Sequence, residues 1–326
     1  MNVLSVFIPQ AMQSDYSKLL RSALLEGIDI HEGSLPMKEY DVLVEGKPST
    51  AMITNHPRLQ SVIIPYAGIP EETRTLLLRF PAIHVYNLHH NARAVAEYTL
   101  ALLLAAVKHI IPLHNTLTRG DWSLRYLPST SGMLYRRQVL ILGYGTIGQN
   151  IARLLEPSGV HISAIRKSIS SVENDGPVHI HPLQDLPTLL PKTDFLIVTL
   201  PLTPETRGLI STNEFALLSN RSIVVNVGRG EVIDQHALYA ALRSKRIAGA
   251  AIDVWYNYPE SVEDRLHTFP ADEPFHELDN IIMSPHKAGG LAVDDVERER
   301  VMALADLLNA IKQNTPPPSI NLQWGY

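Results

Sequence analysis

With 326 residues, 45% of them hydrophobic and 19% charged, the chain is long enough for two domains that each bury a core. A formal net charge of -5 supplies no basic surface of the kind a phosphate backbone requires, so nucleic acid is excluded as the expected partner. The absence of cysteine excludes disulfides, thiolate zinc sites and thiol nucleophiles.

The N-terminus, Met1 to Ile8, carries neither the basic flank nor the cleavage signal of a secretory peptide. It reads as a first strand, Val3 to Ile8, of a cytoplasmic protein. A helix near Ser14 to Glu26 follows, then short apolar runs at Val42 to Val44 and Ser61 to Pro65. This alternation is the pattern of a doubly wound parallel sheet. The most apolar segment, Ala94 to Leu113, contains Glu97, Lys108 and His109, and Pro112 closes it before a bilayer could be spanned comfortably. No membrane partner is expected. Ala and Leu occupy nearly every face of this segment, so a buried helix there needs cover all round, from two domains or from a second subunit. The polar, aromatic stretch His114 to Arg137 could be an arm across a partner, and a homodimer through this part of the chain is the expected assembly.

A second set of strands is predicted at Val139 to Leu142, Val160 to Ile165, Phe195 to Leu200, Ile223 to Val227, Gly249 to Val254 and Ile281 to Ser284. Six such strands complete one dinucleotide-binding sheet. Ser211 and Glu214 form a capping box for a helix from Phe215 to Leu218, and Asp234 can cap a helix that runs to about Arg246. The last apolar helix, about Leu291 to Ile311, has no sheet left to extend and is expected to return to the first domain. The tail Pro316 to Tyr326 reads as a loop. The expected boundaries are therefore 1–92 with 290–326, and an inserted 93–289, with an active site in the cleft between the lobes.

Val139 to Leu142 leads into Gly143-Tyr144-Gly145-Thr146-Ile147-Gly148. A buried strand, a glycine-rich turn and a helix N-terminus present unpaired amides to a pyrophosphate, so this segment predicts dinucleotide binding. Glycines after a strand are also ordinary turn residues. What separates the two readings is context: Arg229, in Asn226-Val227-Gly228-Arg229-Gly230, and His286, in Ser284-Pro285-His286, each end another apolar run, where open parallel sheets place ligand-binding residues. After the second strand of such a fold an acidic residue usually meets the adenosine ribose. Here Arg166-Lys167-Ser168 stands in that place, attracts a 2′-phosphate and favours NADP(H) over NAD(H). A solvated basic loop is the other reading of those residues.

With Gly143 to Gly148, Pro201-Leu202-Thr203-Pro204-Glu205-Thr206-Arg207-Gly208, Asn226 to Gly230, Ala250-Ala251-Ile252-Asp253-Val254 and Ser284-Pro285-His286 in order, the chain resembles the D-isomer-specific 2-hydroxyacid dehydrogenases, glyoxylate/hydroxypyruvate reductase-like members in particular. The resemblance is strong over roughly Ala94 to Gly289. Upstream, Asn91 to Glu97 resembles the family's entry to the long helix, and Tyr66-Ala67-Gly68-Ile69 its substrate loop. It implies an α/β fold of two doubly wound parallel-sheet domains, a Rossmann nucleotide domain inserted into a flavodoxin-like substrate domain, and a dimer. It also implies reversible hydride transfer between a nicotinamide and a small 2-oxo or 2-hydroxy acid of the D-isomer.

Reducing a 2-oxo acid needs a cation for the carboxylate and carbonyl, and an acid for the forming alkoxide. Arg229 and His286 can fill these roles, Arg229 because its planar fork is permanently charged. The plainer reading of Arg229 is a pair with a carboxylate at a helix start. The resemblance adds Asp253 as the holder of the nicotinamide carboxamide, whose local alternative is a strand-end carboxylate capping a turn. It also adds a cofactor lining of Leu200, Pro201, Thr206, Val227, Gly228 and Gly289, and carboxylate-facing amides near Ala67 and Gly68 beside Tyr66. Where the family has a glutamate that hydrogen-bonds the histidine, this chain has Tyr258, followed by Pro259; either Tyr258 orients His286, or Glu260 takes over, or the proton relay is altered. Formate dehydrogenases of the superfamily also lack that carboxylate, so formate-type hydride transfer is one alternative, and a cofactor-sensing corepressor-like binding protein another. Pro70 replaces a common aspartate. His89-His90 and His179-x-His181 read as loop residues without acidic or cysteine partners at metal spacing, so no metal is expected. Glyoxylate and hydroxypyruvate are the favoured substrates.

Overall fold

The computed structural model describes residues 3–33, 39–128, 131–290 and 294–323. The sequence readings at Met1, Asn2, Leu291 to Val293 and Trp324 to Tyr326 lie outside them. The chain divides into two compact units, Met1–Asn91 with Gly290–Tyr326, and Ala92–Gly289.

The first unit begins β1 (Leu4–Ile8), α1 (Ser14–Ala23), β2 (Ile28–Glu32), β3 (Val42–Val44), α2 (Thr50–Thr54), β4 (Ser61–Ile64), α3 (Glu71–Leu77) and β5 (His84–Asn87). Its five strands are all parallel, in the order β2-β1-β3-β4-β5, the flavodoxin-like winding. Alternate residues divide the sheet between two cores, as a period of two requires. Val6, Val42, Val44 and Ile63 face one core with Leu20 of α1. Phe7, Leu43, Val62 and Ile64 face the other with Ile53 of α2 and Leu77 of α3.

The second unit runs α4 (Ala92–Val107), α5 (Ile110–Leu117), α6 (Ser123–Tyr126), β6 (Gln138–Leu142), α7 (Thr146–Leu155), β7 (His161–Ile165), β8 (Glu173–Asp175), β9 (Val178–His181), α8 (Leu186–Leu189), β10 (Phe195–Val198), α9 (Thr212–Leu217), β11 (Ile223–Asn226), α10 (Gln235–Arg243), β12 (Gly249–Ile252) and β13 (Ile281–Met283). The six expected strands are joined by β9, parallel to β7, and by β8, antiparallel to β9, in an eight-stranded sheet ordered β13-β12-β11-β10-β6-β7-β9-β8. His179 and His181 therefore lie on a strand, not in a loop. Both are engaged locally, His179 with Asn174 and His181 with Asp185. The capping box at Ser211 and Glu214 and the Asp234 cap form as the sequence predicts.

The single long helix expected at Ala94 to Leu113 is instead α4 and α5, bent by 64°. His109 makes the break in a left-handed conformation, φ 53. Pro112 does not end the helical stretch. It sits in the first turn of α5, where its missing N–H has no intrahelical partner to lose. The cover differs along the stretch: α4 buries Val95, Ala96, Leu102, Leu103 and Val107 against α7, β11 and β12, whereas α5 buries no residue. Among the described residues no single helix is long and apolar enough to cross a membrane.

The chain ends in the first unit with α11 (Asp294–Lys312), which packs on α1 and adds Val301, Leu304, Ala305 and Leu308 to the core on that side of the sheet. The tail beyond it is pinned, because Ile320 donates to the Val85 carbonyl (2.8 Å) and Arg74 to that of Leu322 (2.7 Å).

Candidate active site

β6 is buried from Val139 to Leu142 and delivers the chain to Gly143, whose φ of 102 only glycine adopts freely. The Gly143 and Tyr144 amides both donate to the Ile165 carbonyl. Gln149 donates to Gly145 and closes the first turn of α7, so the amides of Thr146, Ile147 and Gly148 precede the first intrahelical bond. A Cβ on Gly148 would lie 2.2 Å from the Gly143 carbonyl oxygen, whereas one on Gly145 would meet nothing within 4 Å. Gly148 thus brings helix to strand, and Gly145 leaves the approach to the helix N-terminus open. This cradle fits a pyrophosphate. Tyr144 contributes no side chain to it: the ring is buried, its hydroxyl donates to Asp175 (3.0 Å), and burial with that bond pushes the phenol up to about 12.

The ends of β10 and β11 close on this loop. Gly228 has no room for a side chain, since a Cβ would stand 2.6 Å from the Leu200 carbonyl oxygen. Leu200 and Pro201 are half-buried, and the Thr206 hydroxyl is spent on the Pro201 carbonyl (2.7 Å) and the Thr203 amide (2.8 Å), so Thr206 holds the turn. Asn226 bridges its own turn, accepting from the Gly228 amide and donating to the Arg229 carbonyl, while Val227 is buried. Arg229 emerges exposed, Nη1 on the Gly228 carbonyl at 2.7 Å. Among the described residues it makes no ion pair, which removes the helix-start carboxylate as its partner.

His286 is half-buried and has a left-handed backbone, φ 55. The Tyr258 hydroxyl meets its Nδ1 at 2.9 Å and also accepts the Trp255 amide at 3.1 Å. Of the alternatives weighed for the missing glutamate, the phenol is therefore the group that reaches the ring. Glu260 is exposed and makes no hydrogen bond to His286 among the described residues. Burial first, and then the Arg229 guanidinium, push the imidazole below its ordinary value, against an upward pull from Asp253. Arg229 thus stands close enough to act on His286, and on Tyr258 as well, whose phenol burial pushes up.

Asp253 follows directly on β12, at the strand end where the sequence places it. Its side chain is fully buried, and its carboxylate accepts the Ser284 hydroxyl (2.5 Å) and the amides of Lys287 (2.9 Å) and Ala288 (2.9 Å). It caps the turn that carries His286, the local alternative to holding a carboxamide. Ser284 stands in the motif that carries His286, but the bonds by which Ser284, Tyr98 and Trp255 tie into this turn have no local signal in the sequence. Gly289, at the turn's end, is half-buried.

Arg166, Lys167 and Ser168 are all exposed at the end of β7. Lys167 pairs with Glu205 (3.8 Å), while Arg166 makes no ion pair among the described residues. In the first unit, Tyr66 is 38% exposed and its hydroxyl lies against Gly46, where a Cβ would approach to 2.0 Å. Ala67 accepts the Asn87 side chain, Gly68 is half-buried, and Pro70 precedes the first turn of α3. His89 and His90 lie in this unit too; burial lowers both, His90 to about 4.

Residues 100–288, more than half of the chain, match the family described as D-isomer specific 2-hydroxyacid dehydrogenase, NAD binding domain. A glyoxylate reductase of Pyrococcus furiosus is 28% identical, over 97% of this chain and 94% of its own length. A D-3-phosphoglycerate dehydrogenase of Methanocaldococcus jannaschii is 30% identical over 67% of this chain, which spans only 39% of that protein. Among solved structures, a D-isomer specific 2-hydroxyacid dehydrogenase of Xanthobacter autotrophicus Py2 in complex with NADPH and MES shares the fold, with a TM-score of 0.79, 24% identity and coverage of 100% of both chains. The chain belongs to the D-isomer specific 2-hydroxyacid dehydrogenase family.

Proposed function

We propose that this family member reduces a small 2-oxo acid to its D-2-hydroxy acid with NADP(H), glyoxylate and hydroxypyruvate being the favoured substrates. The observation that carries the reading is a His286 whose Nδ1 is held by Tyr258, together with an exposed Arg229 that makes no ion pair among the described residues. A bound reduced nicotinamide supplies the hydride. The chain's own part is to bind, polarise and protonate. Arg229 takes the carboxylate and carbonyl oxygen with its fork, and His286, anchored through Nδ1, gives the Nε2 proton to the oxygen as charge develops. The amides from Gly145 to Gly148 would hold the pyrophosphate, with Leu200, Pro201, Val227, Gly228 and Gly289 as lining. The loop at Tyr66, Ala67 and Gly68 is assigned to the substrate carboxylate.

Arg166 and Ser168 support NADP(H), since a guanidinium that makes no ion pair among the described residues attracts a 2′-phosphate and a carboxylate there would repel it. The activity named for the Pyrococcus furiosus relative supports the substrate class. Following NADPH and NADH oxidation with a panel of 2-oxo acids, beside formate oxidation, tests the whole reading. NADPH-linked turnover of glyoxylate or hydroxypyruvate is expected, and Arg166→Asp should shift the ratio of coenzyme efficiencies toward NADH by about tenfold or more. An unchanged ratio overturns the coenzyme assignment, and formate oxidation without 2-oxo acid reduction overturns the reaction.

A second copy of the chain is the proposed cover for the apolar surface of the α5–α6 region. Ile110, Leu113, Leu117, Trp122, Tyr126 and Leu127 are all exposed there, and clustered exposed apolar residues of this kind mark interaction surfaces. Light scattering should return twice the chain mass; a monomer would remove this assignment.

A further inference from the structure

The turn that carries His286 is gripped from below. A residue with a side chain rarely adopts a left-handed backbone unless its surroundings impose it, and His286 does so at φ 55. The Asp253 carboxylate holds the two amides that follow, those of Lys287 and Ala288. On the other side of His286, the Ser284 hydroxyl donates its only proton to Asp253, and the Ser284 carbonyl accepts the Trp255 indole at 2.7 Å. The Tyr98 hydroxyl of α4 lies 2.7 Å from the Ser284 hydroxyl oxygen. Because the serine proton is already committed, Tyr98 must be the donor, and the hydrogen bonds run one way, from Tyr98 to Ser284 to Asp253.

We infer that Tyr98, Ser284 and Asp253 are positioning residues that fix the turn of His286, and so aim its Nε2. The inference rests on the reading of His286 as the proton donor. Asp253 is fully buried, and Ser284 nearly so, so the chain of bonds joins α4 to the ends of β12 and β13 with little competition from water. Tyr258 fixes the ring at Nδ1; this network fixes the backbone from which the ring projects. Both constraints are needed to define where a proton leaves, and small displacements of a catalytic group are costly in rate.

The test measures kcat, both KM values and thermal stability for Tyr98→Phe, Ser284→Ala, Ser284→Thr and His286→Ala, with NADPH and the best 2-oxo acid. Turnover is expected to fall about tenfold in Tyr98→Phe and about 10²-fold in Ser284→Ala, with the KM for coenzyme within about twofold and substantial recovery in Ser284→Thr. Tyr98→Phe decides alone if Ser284→Ala does not fold. Unchanged kcat in Tyr98→Phe and Ser284→Ala, with His286→Ala impaired, overturns the positioning role and leaves the proton-donor reading standing. A rise in coenzyme KM without loss of kcat also overturns it, and points instead to contact with the nicotinamide. Near-normal turnover in His286→Ala removes the proton-donor reading itself.

Discussion

Replacing His286 by alanine is expected to lower reductive turnover by about 10² to 10⁴, the range that a positioned general acid supplies. The expectation follows from how the ring is held. Nδ1 is committed to the Tyr258 hydroxyl, so the proton delivered to substrate comes from Nε2. Tyr258 already accepts the Trp255 amide, yet a phenol oxygen can accept a second bond, so it serves both ring states: it receives Nδ1–H from the imidazolium and from the neutral ring left when Nε2 gives up its proton. What it cannot do is supply negative charge. Burial and Arg229 therefore hold the imidazole below its ordinary 6.5, and among the described residues no carboxylate is hydrogen-bonded to the ring. The sign is fixed by which form reacts: reduction consumes the imidazolium, whose population falls as pH rises through that lowered value, so kcat/KM for reduction should begin to decline below pH 6.5. Oxidation needs the neutral base and gains over the same interval. Tyr258→Glu restores a carboxylate beside Nδ1 and should move the limb upward by about one unit or more. A limb that stays in place in Tyr258→Glu, or a His286→Ala enzyme with near-normal turnover, would exclude this use of the ring.

The elements that were plain in the sequence are those with a continuous apolar signal. β6, β10 and β11 are buried at nearly every position because parallel strands are covered on both faces, and each reads as an uninterrupted run. β8 offers no such signal. Glu173-Asn174-Asp175 is exposed throughout and becomes a strand only by pairing with β9. The break between α4 and α5 was hidden for a different reason: it occurs at His109, with neither glycine nor proline at that position. Arg229 and His286 could be picked out because open α/β sheets place ligand-binding groups beyond the strand ends. Tyr258 could be found by its offset from Asp253. Tyr98 could not, since its bond to Ser284 spans 186 residues and the helix that carries it looks like pure packing. Asp253 marks the limit of local reasoning: its place at the end of β12 was legible, but not that its carboxylate turns inward to amides more than thirty residues away.

Arg229→Lys is expected to lose most activity, about 10² to 10³ in kcat/KM, although it conserves charge. Nη1 is already bound to the Gly228 carbonyl at 2.7 Å, and that bond sets the plane of the guanidinium while Nε and Nη2 remain for a carboxylate and a carbonyl oxygen. A lysine ammonium is a single point of charge. It can stay on the Gly228 carbonyl or reach for the substrate, but it cannot keep a fixed plane while doing both. The backbone below offers no compensation, because Asn226 clamps the turn at Gly228 and Arg229, and a Cβ on Gly228 or Gly230 would collide with Leu200 or Trp255 backbone oxygens at 2.6 and 2.4 Å. Charge and geometry can be separated by a second variant. Arg229→Gln removes the cation that helps depress His286, so its pH limb should move upward, whereas Arg229→Lys should leave the limb near the wild-type position while turnover falls. Wild-type kcat/KM in Arg229→Lys would show that the fork is not what binds the 2-oxo acid. Equal limbs in Arg229→Gln and the wild type would show that Arg229 does not act on the imidazole.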